Sequence, residues 1–140
     1  MIRKYIRRPP TDREILQAIY DLHHDQFVID ADARSSKVFV PVDILSVSKS
    51  LGVDPDIVFG RLYYVLEQRF GYERSDGSKV SFFTLQAGED FRAVNFPMLV
   101  SALAALREDH DRQARATWIA VAALFVSIVS LVVSFIPGVL

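Results

Sequence analysis

The chain has no cysteine among its 140 residues. Disulfides and thiolate metal sites are therefore excluded, and the composition fits a reducing compartment. Its six glycines form no loop that could cradle a phosphate. There is no Gly-x-Ser-x-Gly elbow, no His-Glu-x-x-His pair and no paired carboxylates on a defined scaffold, so no enzyme activity is expected. His23 and His24 sit beside Asp21 and Asp25, but neighbours on a helix point apart and His110 is the only other histidine. A solvated helix end is expected there, with no metal site and no cofactor. Internal repeats and low-complexity segments are absent. The first ten residues are basic with no apolar core behind them, so no signal peptide is expected.

Charge is missing from one long stretch. Residues 116–136 are 21 consecutive uncharged positions, mostly Val, Ile, Leu, Ala and Phe. As a helix this run is about 31 Å long, close to a bilayer's hydrocarbon thickness. Arg115 stops it on one side, Trp118 suits the headgroup level, and Pro137-Gly138 ends it. One transmembrane helix is predicted. Arg107, Arg112 and Arg115 precede it and four uncharged residues follow, so the positive-inside bias predicts an N-terminal domain in the cytosol. The expected topology is tail-anchored and single-pass in the inner membrane.

Within the span, Ala120, Ala123, Ser127, Ser130 and Ser134 follow steps of three and four, an arc of about 80°. Val121, Leu124, Phe125, Ile128, Val132 and Phe135 suit lipid tails. Small faces let helices approach closely, and serines bond across an interface or face water. The plainer alternative has each serine bonding its own i−4 carbonyl. A lone anchor needs no stripe, so these five residues are the expected pore or packing seam of a parallel homo-oligomer in lipid. The spacing continues upstream through Leu99, Ala102, Leu106, Asp109, Gln113 and Ala116, which predicts one helix from about 97 to 136, with Pro97 in its first turn. Asp109 and Gln113 would be polar seam positions.

The net charge of −1 hides an asymmetry. Residues 1–10 carry Arg3, Lys4, Arg7 and Arg8 and no acid, whereas residues 11–92 hold 14 acids against 9 bases. A basic arm thus precedes an acidic body. The arm could touch nucleic acid, anionic lipid or the body of its own oligomer, and Tyr5 could stack a base.

Along the chain, Thr11-Asp12-Arg13-Glu14 has capping-box spacing and opens a first helix that buries Ile15, Leu16, Ile19 and Leu22, extending toward Phe27. Residues 30–37 are a polar loop and 37–40 a short strand. Pro41 is expected to start a second helix through Leu51, with Ile44, Leu45 and Leu51 inward, closed by Gly52. Asp54 and Pro55 open a third helix as N-cap and first residue, reaching Phe70. Residues 71–74 and 79–85 read as strands around Ser75-Asp76-Gly77-Ser78, a tight-hairpin signal. Ala87-Gly88-Glu89-Asp90 reads as a linker. The expected organisation is an arm (1–10), a cytosolic domain (11–92), a helical stalk (93–115), the span (116–136) and a short extracytoplasmic tail (137–140). The fold class is mainly α with a small β-hairpin, α+β.

The order helix, short strand, helix, tight turn, helix, hairpin over residues 11–86 resembles a winged-helix domain. It is carried by residues 42–51, Gly52-Val53-Asp54-Pro55, residues 57–70 and the hairpin at Asp76-Gly77. The resemblance implies that residues 55–70 are the recognition helix and 75–78 the wing tip. The DNA-binding version needs exposed polar and basic side chains on that helix. Here Arg61, Gln68 and Arg69 stand against Asp54, Asp56 and Glu67, and Arg74 and Lys79 against Glu73 and Asp76. Candidate nucleic-acid or ligand contacts are Arg3, Lys4, Tyr5, Arg7, Arg8, Arg61, Arg69, Arg74 and Lys79. Winged helices also serve as protein-interaction modules.

A small cytosolic module on a stalk and one spanning helix also resembles membrane effectors of bacterial antiphage systems, the Hailong type among them, in which a DNA oligomer controls a channel. Three functions are therefore expected candidates. They are an oligomeric channel-type effector governed by its head, a membrane-tethered regulator binding duplex DNA, and a passive assembly module.

Overall fold

The computed structural model describes residues 8–136 and Gly138. It is mainly helical with two small antiparallel sheets, and it divides into two compact units, Met1–Ala104 and Ala105–Leu140.

In the first unit, α1 (Asp12–Ile29) begins at the predicted capping box. The Thr11 hydroxyl accepts the Glu14 N–H at 3.2 Å, and the Glu14 carboxylate accepts the Thr11 N–H at 2.8 Å. Ile15, Leu16 and Ile19 are fully buried, while Leu22 is half exposed. Beyond α1, Arg34 ties the polar loop to the end of the helix. The Arg34 guanidinium donates to the carbonyls of Gln26, Phe27, Ser36 and Lys37 and lies over the Phe27 ring. Of these, the Phe27 carbonyl belongs to the last turn of α1, where helix carbonyls lack intrahelical partners.

Strand β1 (Phe39–Pro41) includes Pro41, which pairs with Ala93 instead of opening the second helix. Because β1 is an edge strand, a missing N–H on its outer side breaks no ladder bond. Helix α2 (Ile44–Leu51) starts three residues later, capped by Asp43, whose carboxylate accepts the Ser46 N–H at 3.1 Å. Ile44, Val47 and Ser48 are buried and Leu45 is exposed, against the expected inward Leu45. Gly52 closes α2 in the left-handed region, as predicted.

Asp54 and Pro55 open α3 (Pro55–Gly60), which continues through a π-helical segment (Arg61–Leu66) into α4 (Glu67–Phe70). Val58, Leu62 and Leu66 face the core. The Asp76-Gly77 turn joins β2 (Tyr72–Glu73) to β3 (Lys79–Val80), the predicted hairpin. The strand expected over 79–85 breaks at Ser81, however. Phe82 is buried, and β4 (Phe83–Ala87) pairs with β5 (Asp90–Asn95) in a second sheet of order β1-β5-β4.

The expected linker at 87–90 is therefore the turn of a second hairpin. Gly88 has φ +63 there, and a Cβ at this position would collide with Ser35. The Ser35 hydroxyl accepts the Glu89 N–H at 3.1 Å, and the Asp90 carboxylate accepts the Ser35 N–H at 3.2 Å. The central strand β5 carries Ala93 and Val94 into the core and passes directly into α5 (Phe96–Phe135). The Asn95 side chain accepts the Met98 N–H at 3.2 Å at the start of that helix, with Pro97 in its first turn as expected. Phe96 stacks on Phe27 at 4.7 Å and on Tyr20 at 5.8 Å. Phe96, Leu99, Ala102 and Leu103 are buried within the first unit.

The second unit is the remainder of α5, one helix long and apolar enough to cross a membrane, with none of its apolar stretch buried.

Candidate functional site

Two sets of residues were singled out by sequence, the small residues of the span and the cations of the head. On α5, Ala120, Ala123, Ser127, Ser130 and Ser134 are all exposed and share one face by their spacing. Each serine hydroxyl donates to the carbonyl four residues back, Ser127 to Ala123 at 2.9 Å, Ser130 to Val126 at 2.9 Å and Ser134 to Ser130 at 2.8 Å. The plainer alternative thus holds for all three hydroxyl protons, and each oxygen keeps lone pairs that could accept from a partner or a water. Upstream the register is interrupted. Leu99 and Ala102 are buried in the first unit, so that a second helix could meet this face only beyond Ala104.

Of the nine candidate binding residues, Arg3, Lys4, Tyr5 and Arg7 lie outside the described residues. Arg8 clasps Glu14 through two bonds of 3.2 and 2.6 Å. This ion pair, with the Thr11 backbone bond, holds the Glu14 carboxyl down at about 2. Arg61 and Arg69 both close on Asp12, Arg69 at 2.7 Å, and the Asp12 side chain is largely buried. Lys79 lies 3.6 Å from Glu67, whose other oxygen accepts the Phe83 N–H at 2.6 Å. Arg74, at the β2–β3 turn, has no ion pair among the described residues. Four of the five described candidates are therefore paired with a carboxylate of the head.

Two features escaped sequence reasoning. His23 is buried instead of solvated. Its Nε2 accepts the Asp43 N–H at 3.0 Å, which makes Nδ1 the protonated nitrogen, donating to the Ile19 carbonyl at 2.9 Å. It joins the last turns of α1 to the cap of α2. The Asp43 carboxyl is itself held below the ordinary range, chiefly by the Ser46 hydroxyl. The second feature is an aromatic surface of Phe59, Tyr63 and Tyr64 beside Arg92. The adjacent tyrosines were the available signal, since two neighbours on a helix cannot both point into one core. No cluster of metal-ligating side chains occurs among the described residues.

No family model, no curated protein and no solved structure matches this chain.

Proposed function

We propose that this protein is a homo-oligomeric, single-pass membrane protein of the pore or channel type, such as an antiphage effector, governed by a cytosolic winged-helix-like head through nucleic acid. One observation carries this reading. The apolar stretch of α5 is wholly unburied, and its three serines lie on one face with Ala120 and Ala123. A monomeric anchor would gain nothing from that segregation, whereas parallel copies would pack their small faces together and leave the bulky ones to lipid. The bias of Arg107, Arg112 and Arg115 supports a cytosolic head and an inner-membrane location.

A tightly closed Ala/Ser seam is dry, so conduction requires an expanded one. A ligand gates it only by binding open and closed assemblies with different free energies. The test is ion flux in liposomes. The full-length protein should pass ions, and Ser127→Leu with Ser130→Leu should abolish the flux. Unaltered flux in that double variant would remove the pore, and a monomeric mass in detergent would remove the oligomer.

A second reading, a membrane-tethered winged-helix regulator that binds duplex DNA, is favoured by the sheet. Three helical segments interleaved with a first strand, which then pairs with the last of three, support the winged-helix order. In that arrangement the wing tip would be the β4–β5 turn at 87–90 and not residues 75–78. The closure of Arg61 and Arg69 on Asp12 weighs against duplex reading by that helix. Retention of full-length protein on a duplex at low salt, lost steeply as salt rises, would favour this reading, and no retention would eliminate it.

A further inference from the structure

Helix α5 runs unbroken from Phe96 to Phe135. Along the span its carbonyls are bonded within the helix, so none is free to build a carbonyl filter. Residues 116–136 supply no charge either. A conduit lined by this helix must therefore choose between cations and anions with side chains at its entrance.

The second unit opens on that entrance, where Arg107, Glu108, Asp109, Asp111, Arg112 and Arg115 carry the charge. Continued upstream, the face of Ala120 to Ser134 reaches Gln113 and Asp109. From Asp109 to Ser134 its direction drifts by only about 20° on a straight helix. Arg107, Asp111 and Arg115 point more than about 100° from the centre of that face, and Arg112 about 50°. Arg112 is moreover paired with Glu108. Asp109 is exposed, and its carboxylate has no ion pair among the described residues. The face thus presents one formal charge, and it is negative.

Assembly multiplies that charge. Symmetric parallel copies set Asp109 at one height, which turns a single carboxylate into a ring. The ring stands about 10 Å before the uncharged run, about one Debye length at 0.1 M salt. Rings of carboxylates gather cations and repel anions at a mouth. We infer that Asp109 is the charge-selecting residue of the conduit and that the ions passed are small cations. This rests on the reading that the seam opens as a pore, and it holds whatever governs the head.

The test is the reversal potential of full-length protein in planar lipid bilayers across a KCl gradient. Asp109→Asn, Asp109→Glu, Asp109→Lys and Asp111→Asn are measured alongside. Wild type should reverse close to the potassium equilibrium potential. Asp109→Asn should shift the reversal toward zero, and Asp109→Lys should carry it past zero to the chloride side. Asp109→Glu should keep the wild-type value because the charge is kept, and Asp111→Asn should leave it unchanged because that residue faces away. The preference should fade as salt approaches 1 M, where the Debye length is about 3 Å. Oligomeric mass in detergent should be the same for all five proteins. A current without cation preference, or a reversal potential unmoved by Asp109→Asn, overturns the inference and leaves the pore standing. An equal shift in Asp111→Asn overturns it too, because the charge would then act without regard to face. A lower mass in Asp109→Asn does the same, because Asp109 would then be an assembly contact. Absence of current in wild type counts against the pore itself, and the inference falls with it.

Discussion

Asp12 and Arg61 stand 49 residues apart in the chain and form an ion pair that ties the first turn of α1 to the π-helical segment. Arg69 takes the other oxygen of the same carboxylate. Asp12 thus does two things at once, lying near the positive end of the α1 dipole and neutralising two guanidinium groups. The Arg61 Nε is buried with no partner, so the head already desolvates part of that cation.

Asp12→Asn should accordingly destabilise the head by about 2 kcal/mol, because it leaves a partly desolvated guanidinium without its counter-charge. Arg69→Ala should cost less, under about 1 kcal/mol, since Arg69 is half exposed and its half of the pair is screened. Chemical denaturation of the detergent-solubilised full chain, followed by circular dichroism, measures both. Equal costs for the two substitutions would show that burial does not govern this cluster.

The Arg8–Glu14 clasp predicts a dependence on pH with a definite sign. The Glu14 carboxyl titrates at about 2 in the folded protein, below its ordinary 4.5, because Arg8 and the Thr11 N–H favour the charged form. A depressed folded value means that the contribution is fully present above 4.5 and is lost as pH falls toward 2. Wild-type protein should therefore lose stability across that window more steeply than Glu14→Gln. The check is the denaturation midpoint at pH 5, 4, 3 and 2, chosen to bracket the two values. Parallel curves for the two proteins would contradict it.

His23 acts as a strut between two helices. Its imidazole accepts the Asp43 N–H, and removing that acceptor orphans a backbone donor at the mouth of α2. His23→Leu keeps the volume but not the acceptor, and should cost about 1–3 kcal/mol. His24→Ala, at a partly exposed neighbouring position, should stay within about 0.5 kcal/mol. The pair of thermal midpoints decides between the buried strut and the solvated end that the sequence suggests.

Gly77 and Gly88 both have positive φ, but only one is crowded. A Cβ at Gly77 would meet nothing within 4 Å, so Gly77→Ala should cost about 1 kcal/mol of backbone strain. A Cβ at Gly88 would sit 2.6 Å from the Ser35 Cβ, so Gly88→Ala must also push apart the β4–β5 turn and the loop after α1. Its cost should exceed that of Gly77→Ala and should shrink in a Ser35→Gly background. The denaturation midpoints of wild type, the three single variants and the Ser35→Gly, Gly88→Ala double variant give the comparison directly.

Local signals in the sequence were the readable ones. Thr11 with Glu14, Asp54 with Pro55, Gly52, Asp76-Gly77 and the uncharged run from 116 each act through their own backbone, and each lies where the sequence predicts. What could not be read needed a distant partner. Pro41 joins a strand because Ala93 is there to pair with it, and 87–90 become a turn because β4 and β5 pair around them. β5 itself, Asp-Phe-Arg-Ala-Val-Asn, mixes charge with apolar residues and shows no alternation, so its central place in the sheet was hidden. Among the candidate site residues, Arg61, Arg69 and Lys79 look free in sequence because their partner acids, Asp12 and Glu67, lie on other elements of the fold.

The serine stripe separates size from polarity. Every hydroxyl proton of Ser127, Ser130 and Ser134 is already given to a carbonyl of the same helix, so an interhelical contact gains little from it as a donor. What a serine offers a neighbouring copy is chiefly its small volume, which alanine shares and leucine does not. Replacing all three with alanine should therefore keep the oligomeric mass in detergent, whereas Ser127→Leu with Ser130→Leu should lower it. If the open seam is wetted by the serine oxygens, the alanine variant should also conduct less than wild type at unchanged mass, because the lining has lost its water-accepting atoms. Mass measurement by light scattering and flux in liposomes read the two effects on the same protein. Dissociation of the alanine variant would mean that the hydroxyls hold the copies together, and unchanged mass in the leucine variant would mean that this face is not the seam.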